Sequence, residues 1–168
     1  MHAALERLRQ LTTTLTETQG RTAPKTLWLR DKLASVLLAT GSEQEAFDEM
    51  ERLAADCAAD FGPVHDETLR ALNNLAMRMA EAGRPGALDI FRELLPLVTS
   101  RWGAEHRQTL LLRNNHGAVL GMMGHVEEAV SAFAALVADC ERLGFDDERI
   151  RGNQRTWLDA QARVGVST

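Results

Sequence analysis

The chain has no tyrosine, only 5% aromatic residues, four prolines and two cysteines, Cys57 and Cys140, in 168 residues. Two cysteines without a CxxC or Cys/His spacing exclude a disulfide framework and a structural zinc site. Lysine is almost missing too: of 19 basic residues only Lys25 and Lys32 are lysine. That arginine bias, with abundant alanine, points to a GC-rich bacterial genome. No segment approaches the roughly 18 consecutive apolar residues of a membrane span. Residues 1–20 lack the apolar centre of a signal peptide, so a cytoplasmic protein is expected. Basic charge is not in excess either, with Lys+Arg 19 against Asp+Glu 24 and a net charge of −5, which removes bulk attraction to nucleic acid or anionic lipid.

What is present is a 45% hydrophobic content, enough for a buried core without staples, and an internal repeat. The run from Gly62 through His65, Thr68, Leu69, Asn73 and Asn74 to Ala76 returns 41 residues later as Gly103, His106, Thr109, Leu110, Asn114, Asn115 and Gly117. An earlier copy keeps Thr26-Leu27 and Ala34 but has Asp31-Lys32 in place of the asparagine pair. Each copy then reaches a glycine, Gly41, Gly83 or Gly124, where a helix can end in a left-handed cap. A second helix follows, with recurring anchors: Ala46, Ala87 and Ala129; then Met50, Phe91 and Phe133; then Leu53, Leu94 and Leu136. Steps of four and three residues put them on one helical face, where alanine permits close approach and the larger residue fills the space beside it.

Eight helices are expected, at 2–18, 25–40, 43–60, 66–82, 86–101, 107–123, 126–143 and 147–163, and no strand. The same register places Ala4 and Leu8 where Ala46 and Met50 stand, so residues 1–20 read as a second-type helix without its first, either an orphan of a longer array or a cap. Cys57 and Cys140 fall at one core position two repeats apart, beyond the ~7 Å reach of a disulfide. The organisation expected is one domain over 1–168: the orphan or capping helix 1–20, repeats at 22–61, 62–102 and 103–143, and a closing helix within 144–168.

The run Gly-Pro-x-His-x-x-Thr-Leu-x-x-Leu-Asn-Asn-Leu-Ala, followed by Gly-Arg, resembles the 42-residue tetratricopeptide (TPR) repeats of kinesin light chains; bacterial regulators and signalling ATPases carry similar arrays. The likeness covers about 22–143 and is most specific in the copy starting at Gly62. It implies an all-α, right-handed α-solenoid of antiparallel helix pairs, whose first helices line a concave groove that binds a protein or peptide. On that implication the groove side carries Trp28, Asp31, Ser35 and Leu38; then Arg70, Asn73, Met77, Ala80 and Glu81; then Leu111, Asn114, Ala118, Gly121 and Met122.

Asparagine amides both donate and accept, so Asn73, Asn74, Asn114 and Asn115 either clamp an extended peptide or bond between repeats. The first helices carry net charges of +2, −1 and +2, and the second segments, taken as 43–60, 84–101 and 126–142, carry −6, +1 and −3. Arg30, Arg70 and Arg113 are therefore candidates for an acidic or carboxylate-terminated ligand, against the plainer reading of solvated helix arginines. His65 and His106 share one turn position and are expected to cap helices, and no histidine has a second metal ligand at helical spacing. Trp102 is expected between repeats, whereas Trp28 meets either a ligand or the terminal helix. No nucleophile motif, phosphate loop or carboxylate pair stands out, and no cofactor or metal is expected. The reading is a non-catalytic scaffold for protein binding. Its alternative is a structural or regulatory segment of a larger bacterial signalling or transcription regulator, self-associating as a homo-oligomer through its open ends.

Overall fold

The structure is a computed structural model and describes residues 2–165; Met1 and residues 166–168, the outermost positions of the expected terminal segments, lie outside it. Eight helices follow in order: α1 (His2–Gln19), α2 (Pro24–Ala39), α3 (Glu43–Phe61), α4 (Asp66–Glu81), α5 (Ala87–Trp102), α6 (Arg107–Met122), α7 (Val126–Leu143) and α8 (Glu148–Gly165). Every expected helix is present with its ends within two residues of those expected, and no strand occurs among the described residues. The chain divides into two compact units, one up to Leu75 and one from Ala76 on.

The repeated Gly-x-x-His-x-x-Thr run builds the turn into each first helix. Gly103 closes α5 at φ +90°, a conformation that costs a Cβ-bearing residue dearly, and its carbonyl accepts from the His106 amide at 3.4 Å and the Thr109 hydroxyl at 2.7 Å. His106 then caps α6, its Nδ1 accepting from the Gln108 amide at 3.2 Å while its ring stacks on Trp102. The turn at Gly62 repeats the arrangement: the Thr68 hydroxyl donates to the Gly62 carbonyl, His65 Nδ1 accepts from the Glu67 amide, and the ring stacks on Phe61. Each recurring spacing in the run is thus one hydrogen bond of a two-sided cap. The first copy has Ala23 in the histidine place, and its buried Thr26 hydroxyl finds no partner among the described residues.

In the first unit, Leu5 of α1 joins Leu33 and Leu37 of α2 and Ala46 of α3, with Leu8 packed against them. Leu27, Leu53, Ala54, Cys57 and Ala71 form a second cluster. In the second unit Leu110, Ala118, Phe133, Leu136, Cys140 and Ile150 pack together, with Trp157 at their margin. Both cysteines are buried free thiols, and burial raises the pKa of each.

Helix α8 packs on α6 and α7 as a further first-type helix would. It covers part of the surface assigned from sequence to the groove. A Cβ on Gly121 would lie 2.3 Å from the Trp157 ring, and both Gly121 and Ala118 are buried, as is Ala80 in α4. These three are packing positions and not groove-facing ones, because a single sequence cannot show which neighbour a small residue makes room for. Gly121→Ala should therefore push Trp157 off its seat. The expected readout is a red-shifted, more quenchable tryptophan emission with helical content largely kept; an unchanged spectrum would mean that α8 is not seated on α6.

Candidate functional site

The polar residues of the first helices spend much of their bonding capacity inside the protein. Asn74 Nδ2 of α4 donates to Asp31 Oδ1 of α2 at 3.2 Å. In the second unit Asn153 Nδ2 of α8 donates to Asn114 Oδ1 of α6 at 3.0 Å. Asp31 and Asn114 occupy one repeat position, so the same link occurs once in each unit. Asn114 is only 5% exposed, and its own Nδ2 donates to Asn115 Oδ1 at 3.1 Å. Asn114 therefore bonds between helices and is no peptide clamp. Asn73 and Asn115 are half-buried and have interactions of their own.

The arginine expectation is corrected in the same direction. Arg30 is 5% exposed, its Nε donating to Glu49 at 2.6 Å and its Nη1 to Asp56 at 2.7 Å. Burial lowers its pKa, but the two carboxylates more than offset this and the net shift is upward, so the guanidinium stays charged. Arg113 of α6 donates to Asp139 of α7 at 2.8 Å, which holds the Asp139 carboxyl below the usual carboxylate range together with Arg142. Arg30 and Arg113 share a repeat position, as do Asp56 and Asp139; both arginines tie a first helix to its own second helix. The second copy has Leu72 and Leu97 at these places. The acidic partners on α3 and α7 escaped the sequence reading, although their spacing of two repeats, matching that of the arginines, was there to be found.

Only part of the assigned set is left facing solvent. In the first unit Trp28 of α2 is 60% exposed, with the Lys32 ammonium 5.9 Å from its ring centre. Lys25, three residues before it, and Ser35 are exposed on the same helical face. Arg70 is exposed, bonded to Glu67 at 2.7 Å and 4.0 Å from Asp31. In the second unit Met77, Leu111 and Met122 are half-buried. His116 lies half-buried with its ring near Phe91, and burial pushes its pKa down; His125 is exposed and paired with Glu128.

A cleft of about 620 Å³ opens in the first unit between α1 and α3, with Thr12, Thr16 and Arg9 on one wall, Arg52 and Asp56 on the other and Arg30 at its floor. Its charges are matched within the chain: Arg9 bonds Glu6 and Glu45, Arg21 bonds Asp60, and Arg52 approaches Glu49. Among the described residues no group of three or more His, Cys, Asp or Glu side chains could hold a metal ion, and no helix is long and apolar enough to cross a membrane.

This arrangement of capped helix pairs joined through their first helices is the TPR-like repeat fold. The chain is similar to the nearly identical TPR-like repeats of a kinesin light chain-type protein of Podosopora anserina. One crystal structure, of a point variant of that protein, superposes with a TM-score of 0.74 at 20% identity over 86% of this chain and 69% of the other. A second gives 0.71 at 21% identity, over 96% and 79%. No family model and no curated protein matches the chain.

The Arg30 network sets a stability test. Arg30→Leu strands Glu49 and Asp56 and should cost about 3–5 kcal/mol in chemical denaturation, whereas adding Asp56→Leu, which copies the leucines of the second repeat, should recover at least half. A single substitution that costs nothing would contradict the buried pair.

Proposed function

We propose that the chain is a non-catalytic protein-binding module that docks an extended peptide on the outer face of its first helices. The observation that carries this reading is Trp28. A tryptophan with 60% of its surface in water contributes little to folding, yet it is the kind of large, rigid, amphipathic side chain that anchors interfaces. The only two lysines of the chain, Lys25 and Lys32, flank it at three and four residues on the same helical face, and Arg70 is exposed on α4. Positive charge around an apolar anchor favours a peptide with acidic residues beside an apolar one. The lysine ammonium can also ride on the ring, which keeps it extended toward a ligand.

Arg30, Arg113 and Asn114 take no part in the contact, their polar atoms being used within the fold. The acidic-peptide site comprises Trp28, Lys25, Lys32 and Arg70, all in the first unit. Rigid helices lose little conformational freedom when a ligand arrives, which is the physical advantage such a scaffold offers.

The test is a peptide array read by fluorescence polarisation, with acidic and neutral peptides of matched apolar content. Acidic peptides should bind more tightly, and Trp28→Ala should weaken them about tenfold or more, the loss of roughly 1.4 kcal/mol expected for an anchor. Equal binding of acidic and neutral peptides removes the charge argument, and Trp28→Ala without effect removes the site.

A further inference from the structure

Three second-type helices bury one stripe: Ala46, Met50, Leu53 and Cys57 in α3; Ala87, Phe91, Leu94 and Val98 in α5; Ala129, Phe133, Leu136 and Cys140 in α7. At the same register α1 carries Ala4, Leu8, Leu11 and Leu15. Its other face is covered, with Leu5 and Thr12 buried and Leu5 packed among α2 residues, but this stripe is only partly covered: Leu8 packs at the edge of the Leu5 cluster and Leu15 is half-buried. Ala4 is exposed and Leu11 is 49% exposed, where Leu53, Leu94 and Leu136 are all buried. Steps of four, three and four residues line the stripe up along one side of the helix.

The charge beside the stripe is reversed relative to the first repeat. Arg30 of α2 bonds Glu49 of α3 at 2.6 Å, and the position of Glu49 in α1 is held by Arg7, which is exposed. We infer that the Ala4–Leu8–Leu11–Leu15 face docks an amphipathic helix of the first type, packed as α2 packs on α3 but with a carboxylate where α2 has Arg30. The inference goes beyond the peptide site on Trp28 and is independent of it.

The occupant is not α8 of a second copy. Its link to Asn114 puts Asn153 in the place of Asn115, so Arg151 and Arg155 stand in the places of Arg113 and Gly117. Gly117 leaves room for Phe133, whose ring atoms a Cβ there would meet at 2.9 Å. Arg155 would instead drive a guanidinium against Leu8, and Arg151 would face Arg7. Head-to-tail joining thus sets bulk against an apolar contact and like charge against like.

The experiment titrates the full chain with two labelled peptides spanning residues 24–39, one with the natural Arg30 and one with Arg30→Glu, by fluorescence polarisation. The glutamate peptide should bind at least tenfold more tightly. Leu11→Glu in the chain should abolish binding, Arg7→Glu should reverse the preference between the two peptides, and Trp28→Ala should leave both unchanged. Since Leu11 and Arg7 are exposed, circular dichroism should show these variants folded. Failure of either peptide to bind, a preference indifferent to Arg7→Glu, or a dimer of the chain itself that Leu11→Glu dissociates would each overturn the proposal, the last by making a second copy the occupant.

Discussion

Within each unit two first helices are joined at one polar position, α4 to α2 and α8 to α6, and the register of each pair follows from that constraint. A buried amide without a partner costs about 1–3 kcal/mol, so a helix carrying Asn114 in its covered face can pack only where a neighbour answers its carbonyl. Asn153 does so for α8, and Asn74 does the same for Asp31 of α2. Apolar contacts alone tolerate sliding by a turn, whereas these side-chain pairs do not. The arginine pairs then fix each first helix to its own second helix, Arg30 to α3 and Arg113 to α7.

The same constraint separates architecture from recognition. Groups that look like binding groups in a repeat alignment recur because every repeat must meet the next one, and periodic polar residues are therefore first claimed by the fold. Trp28 stands outside that pattern. Its repeat positions hold Arg70 and Leu111 in the other copies, so the tryptophan is peculiar to one helix and is not required by stacking. Exposure and lack of recurrence together are what single it out.

Much of the architecture was legible in the residues. Helix ends were marked by glycine, and second helices by the alanine, large-residue and leucine steps; the histidine at the turn was readable as a cap, and His106 takes that role through Nδ1. The site was less legible, for a physical reason. Helical periodicity tells which residues share a face but not which neighbour covers that face, so Asn114, Gly121 and Ala118 read as open until α8 is seen lying over them. Arg30 failed likewise, because its partners Glu49 and Asp56 sit 19 and 26 residues away on a different helix.

The side-chain amide protons of asparagine test the linked-helix account most directly. Proton exchange and temperature coefficients measured by nuclear magnetic resonance on the full chain should show the Asn114 and Asn153 amides protected, with exchange slowed well beyond that of solvent-exposed asparagines. Rapid exchange of the Asn153 amide, which donates to Asn114 Oδ1, with the helices otherwise intact, would mean that α8 and α6 are not locked through this pair.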